Sequence, residues 1–110
     1  MPATPEQLAA ALEAFRLAAE ANRQTATRRG NVIELSAASA DDVLISADLH
    51  GQRGNFEAIL ARADLSAHPR RHLILQEVCH GGPCYEDGIA CQSHLLLTEV
   101  ARLKTKYPAQ

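Results

Sequence analysis

Apolar residues recur along the first segment at Leu8, Leu12, Phe15 and Ala19, while Glu13, Arg16, Glu20 and Arg23 fill the positions between them. That three-and-four spacing predicts a helix with one apolar stripe. Thr4-Pro5-Glu6-Gln7 supplies its start: Thr4 as N-cap, Pro5 at the first helical position and Gln7 closing a capping box. The pattern runs to about Gln24, and Arg28-Arg29-Gly30 reads as cations near the helix end followed by a left-handed stop. Periodicity then changes. Residues 31–36 read as a short strand and residues 37–42 as a small-residue turn. The run Val43-Leu44-Ile45-Ser46-Ala47 has four apolar residues of five, which predicts a strand buried on both faces. The two strands are expected to pair as an antiparallel hairpin. Phe56, Ile59, Leu60 and Ala63 predict a helix over about 55–63, and residues 72–78 a second buried strand. Leu96, Val100, Leu103 and Tyr107 predict a closing helix over about 89–106, ended by Pro108.

Strand, helix and strand in this order make a βαβ unit with a parallel sheet. The predicted fold class is therefore α/β: an N-terminal helix over residues 1–30, then over 31–110 a β-hairpin and a βαβ unit with a closing helix. At 110 residues there is room for one core. Eleven basic against thirteen acidic residues give a net charge of −2. That balance offers no basis for a nucleic-acid or membrane-surface partner. Apolar stretches are too short to cross a bilayer. Three cysteines, an odd number, do not suit a disulfide framework, and the expected location is a reducing cytoplasm.

Candidate chemistry lies at the strand ends. Asp48 and His50 follow the first buried strand two positions apart, where alternation places both side chains on one side. A charged carboxylate buried beside an imidazole requires compensation, which a metal ion supplies. Glu77 ends the second strand, so Asp48, His50 and Glu77 gather beyond the carboxyl ends of neighbouring parallel strands, where α/β sheets collect their active groups. The plainer alternatives are that Asp48 caps a turn, His50 is an ordinary loop residue and Glu77 is a strand-end acid in a salt bridge. The helix that begins after Gly51-Gln52-Arg53-Gly54 aims unpaired amides at this rim, where they suit an anion such as phosphate, with Arg53 as an added contact. A competing metal set is Cys79, His80, Cys84, Cys91 and His94, although the C-x4-C-x6-C spacing lacks the short C-x-x-C knuckle of structural zinc sites.

Ala47-Asp48-Leu49-His50-Gly51, at the end of a strand and followed by a helix and a second strand with an acid at its end, resembles the opening of the calcineurin-like metallophosphoesterases. The resemblance covers roughly residue 42 onward, and Leu-Gln-Glu-Val-x-His-Gly is similar to a bacterial subgroup of that family. It implies a partial metallophosphoesterase α/β sandwich. It also implies hydrolysis of phosphoesters by a hydroxide activated between two divalent ions, manganese, iron or zinc. Asp48 and His50 would bind the first ion, Glu77 would bridge in place of the family's Asp, and His80 would stand as a catalytic residue where the family often has the Asp that orients its catalytic His. Gly81 replaces the arginine that contacts phosphate in the family.

The family's later Gly-Asn-His-(Asp/Glu) and histidine-bearing segments have no counterpart before Gln110. The expectation is therefore the N-terminal portion of a larger phosphoesterase domain, with little or no turnover alone. The alternative is a non-enzymatic α/β scaffold that self-associates through an exposed sheet edge.

Overall fold

The computed structural model of the protein describes residues 3–110, so the first two residues of the segment assigned to 1–30 lie outside the description. Its architecture is mixed α/β: a long helix, a small hairpin, a parallel strand–helix–strand unit and a closing helix.

Helix α1 spans Pro5–Gln24 with Thr4 at its N-cap. The Gln7 amide donates to the Thr4 hydroxyl (3.1 Å) and the Thr4 amide donates to Oε1 of Gln7 (2.8 Å), so the expected capping box is present. The helix ends at Thr25 in an extended conformation, without a left-handed glycine. Arg28 and Arg29 are not a solvated helix end: strand β1 (Arg28–Arg29) pairs antiparallel with β2 (Val32–Ile33). Gly30, at φ +62°, makes the tight turn between them. The predicted hairpin between residues 31–36 and the Val43 strand is thereby replaced. A two-residue Gly-Asn turn closes a much shorter loop, at lower entropic cost, than pairing across residues 37–42 would require.

Strands β3 (Asp42–Asp48) and β4 (Arg71–Gln76) pair in parallel, with α2 (Arg53–Ala63) between them in sequence. The register sets Leu44 beside Leu73 and Ile45 beside Ile74, then slips between Ile45 and Asp48. Ser46 and Gln76 stitch this irregularity together. The Gln76 amide donates to the Ser46 hydroxyl (3.2 Å), and the Gln76 side-chain amide donates to the Ser46 carbonyl (2.6 Å). The buried hydroxyl thus serves backbone groups that the ladder leaves over.

One face of the sheet meets the helices. Leu49, Phe56 and Leu96 are buried together, with Ile59, Leu60, Leu75, Val78, Val100 and Leu103 packed around them. Helix α3 (Ser93–Lys106) supplies the last of these and also docks on α1 through Ala14, Ala18 and Ala101, whose small side chains permit close approach. The other face is open: Val43, Ile45 and Ile74 are 41%, 59% and 44% exposed. Burial of β3 on both faces is therefore not what forms. Among the described residues this sheet has only two strands, and on that side the Ser39 carbonyl meets Nε2 of the buried His72 (3.3 Å).

At the end of the sheet opposite Asp48 and Gln76, Nε and Nη2 of Arg71 donate to the two oxygens of Asp42 (2.8 and 2.9 Å) across the strand pair. This bidentate bond holds the Asp42 carboxyl below the usual range. A depressed folded-state value contributes stability above the ordinary carboxylate range, about pH 4, and that contribution is lost as pH falls through the lowered value. Thermal melts of wild type and Asp42→Asn should accordingly differ at pH 7 and begin to converge only as the pH falls below about 4. Because the pair is exposed, the gap at neutral pH should also narrow with added salt.

Candidate metal centre

The rim is built by a ladder that continues past the ends of the strands. The amides of Leu49, His50 and Gly51 donate to the carbonyls of Gln76, Glu77 and Val78 at 3.0, 2.7 and 2.9 Å. Residues 50 and 77 are thereby held side by side, although they are 27 positions apart in sequence.

His50 has left the extended conformation, with φ +45°, and Glu77 and His80 follow at +44° and +82°. Simple alternation thus does not explain why Asp48 and His50 meet. His50 turns into the left-handed region and its ring folds back, leaving Nε2 3.5 Å from Oδ2 of Asp48. Among the described residues four non-glycines have positive φ, and three of them are at this rim. Such conformations cost on the order of 1 kcal/mol each and persist where surrounding contacts over-determine them.

Those contacts come from the loop after β4. Nδ1 of His50 lies 2.7 Å from the His80 carbonyl oxygen. A carbonyl only accepts, so Nδ1 carries the proton and donates. That bond orients the ring and leaves the Nε2 lone pair facing the Asp48 carboxylate, where a metal cation would be favourably placed. On the other side, Nδ1 of His80 is 3.4 Å from Oε2 of Glu77. The His50 and His80 rings meet edge to face, with centroids 5.5 Å apart.

The donor atoms of His50, Glu77 and His80 all lie within 4.8 Å of one another. Ligands at metal bonds of about 2.1 Å in tetrahedral array sit roughly 3.4 Å apart. The three donors therefore need a modest contraction to close on one ion. His80 and Glu77 have freedom for it, being exposed at the rim. Two imidazoles and a carboxylate make a borderline donor set suited to zinc, manganese or iron.

The sequence-derived ligands are redistributed by this geometry. His50 and Glu77 converge. Asp48 is adjacent to His50 but outside the mutually close group, and its side chain is 54% exposed, so burial does not compel compensation of its charge. His80, assigned a catalytic place by resemblance, offers a ligand atom instead. Arg53, expected in the loop before the helix, is the first residue of α2 and turns toward α3, with Nη2 3.8 Å from Oε1 of Glu99. The cysteine-rich alternative does not assemble: no thiol belongs to a three-donor group among the described residues, and Nε2 of His94 hydrogen-bonds to the Tyr85 hydroxyl (2.7 Å).

Gly82 was not singled out by pattern, yet it supports the rim. At φ +95° it lies directly against the His50 carbonyl, and any β-carbon there would overlap that oxygen. Gly51 is seated similarly against Ser93. Only the Gly-Gly-Pro composition of residues 81–83 hints at such a turn, and nothing in it names His50 as the neighbour.

Over 70 residues the chain is 37% identical to dapdiamide A synthase of Enterobacter agglomerans. The alignment covers 64% of this chain and 16% of that protein, so the chain spans well under a fifth of the relative's length. No family profile and no solved structure matches it. Among the described residues, no helix is long and apolar enough to cross a membrane.

Proposed function

We propose that the chain carries a divalent-metal site used on phosphoesters, of the metallophosphoesterase kind, with His50, Glu77 and His80 as ligands and Asp48 beside them. The observation that carries this reading is the His50–His80 bond. It fixes the proton on Nδ1 and leaves Nε2 free facing a carboxylate, in a residue that converges with Glu77 and His80 at the carboxyl rim of a parallel strand pair. A divalent ion held there supplies electrophilic charge stabilisation and an acidified water. The protein's own part is to fix the donor geometry, leave positions open on the solvent side and bring the α2 amides near an anionic ester. The free thiols suit a reducing, cytoplasmic setting. The likeness to dapdiamide A synthase concerns a small part of a much longer protein and does not itself bring that synthesis to this chain.

Calorimetric titration with manganese and zinc should show about one ion per chain. Inorganic phosphate should then bind the metal-loaded protein and not the metal-free one. A metal-loaded protein indifferent to phosphate would leave a metal site and reject the phosphoester assignment; absence of metal binding would reject both.

A second reading, a self-associating scaffold, is favoured by the open face of Val43, Ile45 and Ile74 and by the two free edges of a two-stranded parallel sheet. A second copy pairing there would appear as a dimer in sedimentation, with or without metal.

A further inference from the structure

The loop between the rim and α3 holds two thiols opposite each other. Residues 83–92 double back on themselves: the Tyr85 amide donates to the Ala90 carbonyl (2.9 Å) and the Gln92 amide donates to the Pro83 carbonyl (2.7 Å). These bonds flank Cys84 and Cys91, which form an isolated antiparallel bridge. A pair enclosed in this way is of the non-hydrogen-bonded type, whose Cα atoms stand about 4.5 Å apart with side chains on one face. That separation lies at the short end of the Cα range disulfides accept, about 4.4–6.8 Å. The loop holds this shape with both thiols free. Asp87 accepts from the amides of Ile89 and Ala90 (2.9 and 3.1 Å), and the Gln92 side chain donates to the Cys84 carbonyl (2.9 Å).

We propose that Cys84 and Cys91 form a reversible redox pair, closing an intraloop disulfide in exchange with a small-molecule disulfide of the glutathione type. Cys91 is the attacking thiol. Its Sγ is 3.0 Å from the Ser93 hydroxyl, and that hydrogen bond, first among several, lowers its pKa. The Cys91 thiolate attacks one sulfur of the oxidised glutathione and expels the first glutathione thiolate, leaving a mixed disulfide. The exposed Cys84 then loses its proton to solvent and attacks the Cys91 sulfur, expelling the second glutathione. Two protein thiols are oxidised and one glutathione disulfide is reduced to two thiols. Cys79 is not part of this bridge, its Sγ being directed to the Ser93 carbonyl (4.0 Å). Closure would stiffen the loop whose Gly82 seats on the His50 carbonyl, so the redox state acts on the same loop that orients the rim.

The whole chain, equilibrated in graded mixtures of oxidised and reduced glutathione, alkylated and cleaved at Glu86 and Asp87, tests this by peptide mass. The expected product is a cross-link of the residue 84 and 91 peptides, with loss of two hydrogens, reversed by dithiothreitol. Cys79→Ser should retain it, whereas Cys84→Ser should stop at a glutathione adduct on Cys91. Cross-links through Cys79, links between chains, or persistence of free thiols at every ratio would each overturn the proposal. The readout involves no metal, so its failure is separable from failure of the metal assignment.

Discussion

Gly82→Ala should unseat the rim without removing a single donor atom. A β-carbon at residue 82 overlaps the carbonyl oxygen of His50, a backbone atom between two amides held in the neighbouring ladder, and the required φ of +95° is unfavourable for alanine. A side-chain tip could rotate away; a carbonyl whose own peptide unit is pinned by the Gly51 amide's bond to the Val78 carbonyl cannot do so alone. The loop must therefore lift, and the bond from His50 Nδ1 to the His80 carbonyl should go with it. The expected cost is about 2–3 kcal/mol, on the order of a 10 °C fall in Tm for a domain of this size. Metal affinity should fall in parallel. Gly54→Ala is the control: that position has open space, lies within α2 and carries no positive φ, so it should be neutral or stabilising by up to about 1 kcal/mol. Equal melting of Gly82→Ala and wild type would show that the loop does not bear on His50 in the way described.

The second large effect is expected for metal binding itself. Glu77→Gln keeps the size of the side chain and removes its charge. His50→Ala removes the nitrogen that the His80 carbonyl orients. Each should weaken manganese or zinc by on the order of 100-fold or more, since changes to supporting groups alone cost 10–100-fold. His80→Ala belongs with them. Asp48→Asn should cost less, about 10-fold, because this carboxylate touches His50 without joining the close group. The ranking is the discriminating result. If Asp48→Asn does most damage and His80→Ala least, the ligands are Asp48, His50 and Glu77, and the rim geometry described above is not the one that binds metal. Protons compete for both imidazoles, so affinity should fall on acidification, approaching about two protons displaced per ion if both histidines ligate.

Local pattern determined a good deal of this protein. The capping box at Thr4 and Gln7, the long first helix and the apolar face of α2 are all written in short-range spacing, because caps and amphipathic periods depend on residues three or four apart. The sequence alone also brought His50 and Glu77 to one rim, since strand order and parallel pairing suffice for that. Tertiary structure decided the rest. Whether β3 would be covered on one face or both depended on how many strands join the sheet. Whether Val32–Ile33 would pair forward or back depended on competition between two loop closures. The exchange of Asp48 for His80 among the converging donors came from three left-handed residues and a glycine pressed on a carbonyl 32 positions away. Alternation along a strand predicts nothing once the chain leaves the extended conformation, and it was there, in the turns after β3 and β4, that the positions of His50, Glu77 and His80 were set.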